Sequence, residues 1–137
     1  MGFHFVNRLS GPANPVVREY EADSTGVERG DPVAFDGSEK LTVASSDDDV
    51  IGVALDAGGD IDDPQVLTSP DAIFEVEYVG SGKESLDEDD IGSDFDFDSS
   101  DSSQIDLDAT DNGDVTIVGF DNDNDIAYVT LNKHLLA

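Results

Sequence analysis

The chain is 137 residues long with 33 Asp and Glu against 6 Lys and Arg, a formal net charge of -27. A single domain of this size buries roughly 70% of the surface its unfolded chain exposes, so one core suffices. The absence of cysteine excludes a disulfide framework, a thiolate metal site and a cysteine nucleophile.

No apolar run approaches the roughly 18 residues of a membrane span, and no charged segment leads into a long apolar stretch as a secretion signal would. The expectation is no membrane partner. The negative charge would repel phosphates, so no nucleic-acid partner is expected either. So much like charge opposes compaction in dilute buffer, where screening reaches to about 10 Å, but hardly at 1 M salt, where it reaches to about 3 Å. Such a surface suits brine.

Acidity can also signal disorder, and the apolar content decides between the two. Leu, Ile, Val and Phe make up about 27% of the chain, above the roughly 20% below which chains stay unfolded. Val and Ile outnumber Leu, and β-branched side chains favour pleated surfaces. The fold expected is all-β: a compact barrel or sandwich of short antiparallel strands.

Residues 1–19 hold Arg8 and Arg18 against the single acid Glu19, so residues 20–137 carry all the net negative charge. Pro12 and Pro15 disfavour a helix here. With Phe3, Phe5, Val6 and Leu9, the segment reads either as an extended arm that docks on a partner or as an ordinary first strand. The arm is adopted as the expectation, with 20–137 as the acidic barrel domain.

Pro32–Phe35, Leu41–Ala44 and Val50–Leu55 read as three short strands separated by Asp36-Gly37 and by Ser45–Asp49. Ala57–Pro64 is a loop. Ala72–Val79 alternates cleanly, with Phe74, Val76 and Tyr78 opposed to Ile73, Glu75, Glu77 and Val79. The acidic connection 80–94 holds Ser85-Leu86-Asp87-Glu88, which predicts one helical turn. Phe95 and Phe97 alternate with Asp94, Asp96 and Asp98, and Ile105 and Leu107 with Asp106 and Asp108, predicting strands whose acids face solvent. Asp111-Asn112-Gly113-Asp114 predicts a tight turn into the strand Val115–Phe120, and Asp121–Asp125 a second turn into Ile126–Leu131.

No motif carries chemistry. Asp121-Asn122-Asp123-Asn124-Asp125 begins like a calcium loop, but Ile126 stands where that loop needs Gly and Asn132 where it needs a bidentate Glu. A solvated acidic turn is expected, with weak cation binding at most. His4 and His134 have no nucleophile or ligand spacing around them and are read as structural. Carboxylate pairs are guaranteed by abundance, and no phosphate-binding or dinucleotide fingerprint occurs. The expectation is no enzyme, no cofactor and no metal.

The run Val27-Glu28-Arg29-Gly30-Asp31-Pro32-Val33-Ala34-Phe35, then Val43-Ala44, then Val50-Ile51-Gly52-Val53-Ala54-Leu55, resembles small capsid decoration (cement) proteins of tailed phages and archaeal tailed viruses. Asp90-Ile91-Gly92 followed by Phe95, and the final Val115–Leu131 hairpin, are similar to their closing half, so the resemblance spans residues 26–132. It implies a structural virion protein on the outer surface of an HK97-type capsid, made in the host cytoplasm. It also implies a homo-oligomer, commonly a trimer, whose N-terminal arm touches the major capsid protein. The acidic composition points to a haloarchaeal host. The partner-binding residues expected are Phe3, Phe5, Arg8, Leu9 and Arg18. The alternative is a halophilic, non-enzymatic β binding module of a cellular surface or multi-protein assembly.

Overall fold

A computed structural model describes residues 2–8, 16–21, 26–36, 38, 40–56, 64–69 and 71–133, with the side chains of Asn7 and Arg8 left out. The described residues form eleven strands: β1 His4–Arg8, β2 Val17–Glu19, β3 Pro32–Phe35, β4 Leu41–Val43, β5 Gly52–Ala54, β6 Gln65–Leu67, β7 Ala72–Val79, β8 Asp94–Phe97, β9 Ile105–Asp106, β10 Val115–Asp121 and β11 Ile126–Leu131. The fold is all-β, as composition predicts.

Five strands close a barrel in the order β7-β11-β10-β8-β9, and β9 returns to β7. That last pairing, Tyr78 with Ile105 and Val79 with Asp106, is parallel, whereas every other strand pairing is antiparallel. β7 shows why its sequence folds this way. Ala72, Phe74, Val76 and Tyr78 are buried while Ile73, Glu75 and Glu77 are only half-buried, the two-residue period of a strand with one face on a core. Each large apolar side chain so buried contributes about 1.5–3 kcal/mol.

β1 lies on the edge of β7 and extends the same sheet, and the other five strands make a second sheet, β2-β6-β5-β3-β4. A main-chain bond from Leu41 N to Glu21 O (2.8 Å) brings its far strand back to the segment that follows β2. β3 and β5 are buried on both faces, which explains their unbroken apolar runs. Gly52 permits the close approach of β6, since a Cβ there would lie 1.9 Å from the Leu67 carbonyl oxygen.

The expected single core is two clusters. Ala34, Val53 and Leu67 of the second sheet pack with the barrel's Phe74, Phe97, Ile117 and Val129. Val33, Leu41, Ile51, Ala54 and Val66, on the sheet's other side, gather round Val27. The alternation that separates Val33 from Ala34 divides the sheet between two interiors.

Two local expectations shift. The helical turn falls at Glu88–Asp90 rather than Ser85–Glu88, because Asp87 caps it: the Asp89 N–H donates to the Asp87 side chain, and the Asp90 carboxylate accepts from the Asp87 N–H. Asp111–Asp114 turns the chain into β10 without forming a hairpin, because β10 pairs with β8 and β11, whereas the hairpin expected over Val115–Leu131 is the β10–β11 pair across Asp121–Asp125.

The described parts of residues 1–19 do not stand apart as an arm. β1 pairs with β7 from His4 opposite Glu75 to Arg8 opposite Ala72, and β2 pairs with β6. Backbone donors and edge strands already present in the body supply partners that an isolated arm would lack.

Candidate functional site

Phe3 is 2% exposed, and its ring stands edge-on to Phe74 at 6.2 Å and Phe97 at 5.7 Å. Its N–H donates to the Gly30 carbonyl at 2.8 Å. Gly2 makes that seat possible: its φ is +118°, and a Cβ would lie 2.8 Å from the same oxygen. Phe5 is half-buried against Phe74, with ring centroids 6.4 Å apart. Both rings therefore serve the chain's own core, a correction to the expectation that they meet a partner.

Of the other expected residues, Arg8 ends β1, Leu9 lies outside the described residues, and Arg18 is exposed at the centre of β2. β1 and β2 converge on the β6–β7 connection. Thr68 N–H donates to Val16 O (2.8 Å), Val16 N–H to the buried Ser69 hydroxyl (2.6 Å) and Ala72 N–H to Ser69 O (3.2 Å), while Ala72 faces Arg8. Around this junction Val6, Val16 and Val17 are 48%, 44% and 40% exposed. Sequence reasoning placed Val6 among the apolar residues of the arm but missed Val16 and Val17 as surface residues. The available signal was Val16-Val17-Arg18, an apolar pair without an alternating acid, directly after Pro15.

The cations divide in a way that bears on this surface. Lys40 pairs with Glu21 at 3.4 Å, Lys83 with Asp90 at 3.0 Å, and Lys133 with Asp47. Arg18 and Arg29 pair with no described carboxylate, although the chain carries 33.

Among the described residues two acids are buried, and one of them, Asp96, is expected from the alternation to face solvent. Asp114, 2% exposed, accepts from Ser46 Oγ (2.6 Å), Asp47 N (2.9 Å) and Phe97 N (3.0 Å). Asp96, 4% exposed, accepts from Asn112 N and Gly113 N at 2.9 and 2.7 Å. Amide donors stabilise these charges where water is excluded. Asp108 is exposed yet organised: it accepts from the N–H groups of Ser81, Lys83 and Gly82, which lower its pKa to about 2.

The acidic turn 121–125 is bonded to itself and to the barrel end. Asp121 accepts from Asp123 N and Asn124 Nδ2, while Asn122 Oδ1 accepts from the Tyr78 hydroxyl (2.6 Å) and Leu86 N (3.0 Å). Among the described residues no group of three or more His, Asp or Glu is arranged to hold a metal ion. His4 is exposed on β1, and His134 lies outside the described residues.

A polar cleft of about 530 Å³ separates Gly26–Asp31 from the β8–β9 loop at Ser100–Ser103. Burial pushes the Asp31 carboxyl up within it, against the Glu28 N–H that it accepts. An apolar groove of about 190 Å³ lies between β1 and β5, lined by Phe3, Phe5, Val53, Leu55 and Phe74 with Arg29 and His4 at its rim.

No protein-family model, curated protein or solved structure matches the chain.

Proposed function

We propose that the protein is a non-enzymatic capsid decoration protein that stabilises the outer surface of an HK97-type shell of a haloarchaeal tailed virus, acting as a homo-oligomer. The observation that carries this reading is the junction of β1 and β2. There Val6, Val16 and Val17 are exposed near the junction and Arg18, exposed on the same strand as Val17, has no described acidic partner, on a body that is otherwise strongly acidic. Apolar contacts survive brine, because salts excluded from protein surfaces favour burial. Arg18 adds selectivity for a shell surface that offers a carboxylate.

This revises the docking residues, not the idea of docking. Phe3 and Phe5 hold the edge strand in place from within, and the valines of the same segment meet the shell. Small affinities of individual copies multiply across an oligomer seated on one axis.

The test uses purified shells at ~3 M KCl, where screening is at its shortest. Val17→Asp combined with Arg18→Glu is expected to lower occupancy at least tenfold, a loss of about 1.4 kcal/mol or more, with an unchanged melting temperature. Unchanged occupancy overturns the reading.

A further inference from the structure

β1 is the edge of its sheet: β7 pairs with it on one side, and among the described residues no strand pairs with it on the other. That open side begins where the Phe3 N–H, turned away from β7, donates to the Gly30 carbonyl at 2.8 Å, a bond that sets Arg29 beside the strand. The apolar groove of about 190 Å³ between β1 and β5 adjoins it. Phe3, Val53 and Phe74 are the buried part of its lining, Phe5 and Leu55 are half-buried, and Arg29 and His4 stand exposed at the rim. β1 itself contains no acid, and Arg29 pairs with no described carboxylate.

We infer that the β1 edge and this groove form a binding site for an extended segment of a partner protein in which a leucine-sized residue stands next to an acidic one. Size selects the apolar part. Sites for whole small molecules enclose roughly 300–1,000 Å³, so a groove of about 190 Å³ takes one side chain presented from outside. The open edge selects the backbone, because an unpaired strand receives an extended segment through main-chain hydrogen bonds while alternate side chains enter pockets. Charge selects the acid. On a body of net charge -27 a carboxylate is repelled almost everywhere, but at this rim it meets an arginine with no acid of its own, whose guanidinium can hold it through two hydrogen bonds, and His4 as a second donor. The apolar side chain enters against Phe5 and Leu55, the carboxylate pairs with Arg29, and the main chain follows β1 towards the exposed Val6.

This inference deepens the docking reading and rests on it for the source of the segment, a shell subunit, but its test needs no shell. The probe is a dye-labelled peptide, Ser-Thr-Leu-Asp-Val-Thr, blocked at both ends, and binding to the full chain is followed by fluorescence anisotropy at ~1 M KCl, where only charges in contact still attract. Saturable binding with a Kd below about 1 mM is expected. Replacing the peptide's leucine by serine, its aspartate by lysine, or alternate backbone N–H groups by N-methyl is expected to weaken it about fivefold or more. Arg29→Glu is expected to weaken the aspartate peptide by a similar factor and to strengthen the lysine peptide. Leu55→Asp is expected to abolish binding, and should it lower the melting temperature, the charge exchange at exposed Arg29 carries the test. Ile91→Asp, elsewhere on the barrel, is expected to change nothing.

Absence of saturable binding overturns the inference, as does equal binding of all the peptides or indifference to Arg29→Glu. Sodium octanoate that binds as tightly as the peptide makes the groove a site for small amphiphilic anions and overturns the inference too. Shells decorated in full by a protein that binds no peptide overturn this inference alone, and peptide binding of the expected pattern with shells left bare overturns only the decoration reading.

Discussion

Asp114 accepts a 2.6 Å hydrogen bond from Ser46 Oγ, a residue 68 positions earlier, and so ties the turn between β4 and β5 to the start of β10. The same carboxylate accepts from Asp47 N and Phe97 N. Val50 N–H donates to Lys133 O at 2.7 Å beside it, and Asn112 Nδ2 donates to Ser46 Oγ. The seam between the second sheet and the barrel is thus polar at this end and apolar at Ala34, Val53 and Leu67.

Removing Asp114 leaves the donors of half-buried Ser46, exposed Asp47 and buried Phe97 without their acceptor. Asp114→Ala is expected to cost about 3 kcal/mol or more, since each unsatisfied buried group costs about 1–3 kcal/mol. Urea denaturation at constant high salt measures it. A loss below about 1 kcal/mol would show that the seam does not depend on this carboxylate.

Phe3→Ala is expected to destabilise the fold by about 3–5 kcal/mol, because it empties the space between Phe74 and Phe97. Val17→Asp is expected to change stability by less than about 0.5 kcal/mol, as a surface substitution. The contrast in urea midpoints separates the segment's inner face from its outer one.

Asp108 gives an acid-limb prediction with a definite sign. Its pKa falls from an ordinary value of 3.8 to about 2 in the folded chain. A carboxyl whose folded pKa is depressed contributes stability above its unfolded pKa and loses it as pH falls through the folded one. The window is therefore between about pH 4 and pH 2. Melting temperatures of wild type and Asp108→Asn should converge below that window and separate above it, and parallel curves would refute the assignment.

The surface charge predicts that stability rises between ~0.1 M and ~3 M KCl, through screening of like charge and strengthened burial. The surface pair Lys40–Glu21 contributes at most about 1 kcal/mol, and with the half-buried pair Lys83–Asp90 it is too small a sum for its loss at high salt to reverse the trend. Thermal unfolding followed by circular dichroism across the salt series checks it.

Gly52→Ala is expected to prevent β5 and β6 from pairing, since the added methyl would overlap the Leu67 carbonyl. Loss of the near-ultraviolet signal or insoluble expression is the expected outcome. A soluble variant with a native melting temperature would contradict the packing described.

The strands were legible where one face is buried and the other is wet. In β7 the period of two is set by pairing on both edges, and the sequence alternates accordingly. Legibility failed where identical residues have different fates. In Asp94-Phe95-Asp96-Phe97 the two acids look alike, yet Asp94 is exposed while Asp96 is buried under the amides of Asn112 and Gly113. That outcome depends on donors 16 and 17 residues later, which no local pattern records. Phe3 poses the same problem: an apolar residue near a terminus reads equally as an anchor for a partner or for the chain itself. Gly2 beside it was the discriminating residue, because its positive φ serves only a close approach to Gly30.

The place of β11 in the barrel has a bearing on synthesis. β7 meets β11 along one edge, and β11 is the last strand in the described chain. During translation the nascent polypeptide therefore exposes an open β7 edge until Ile126–Leu131 clears the ribosome tunnel. Zippering from one end is ruled out by this topology, and the high contact order that results favours slow, concerted ring closure.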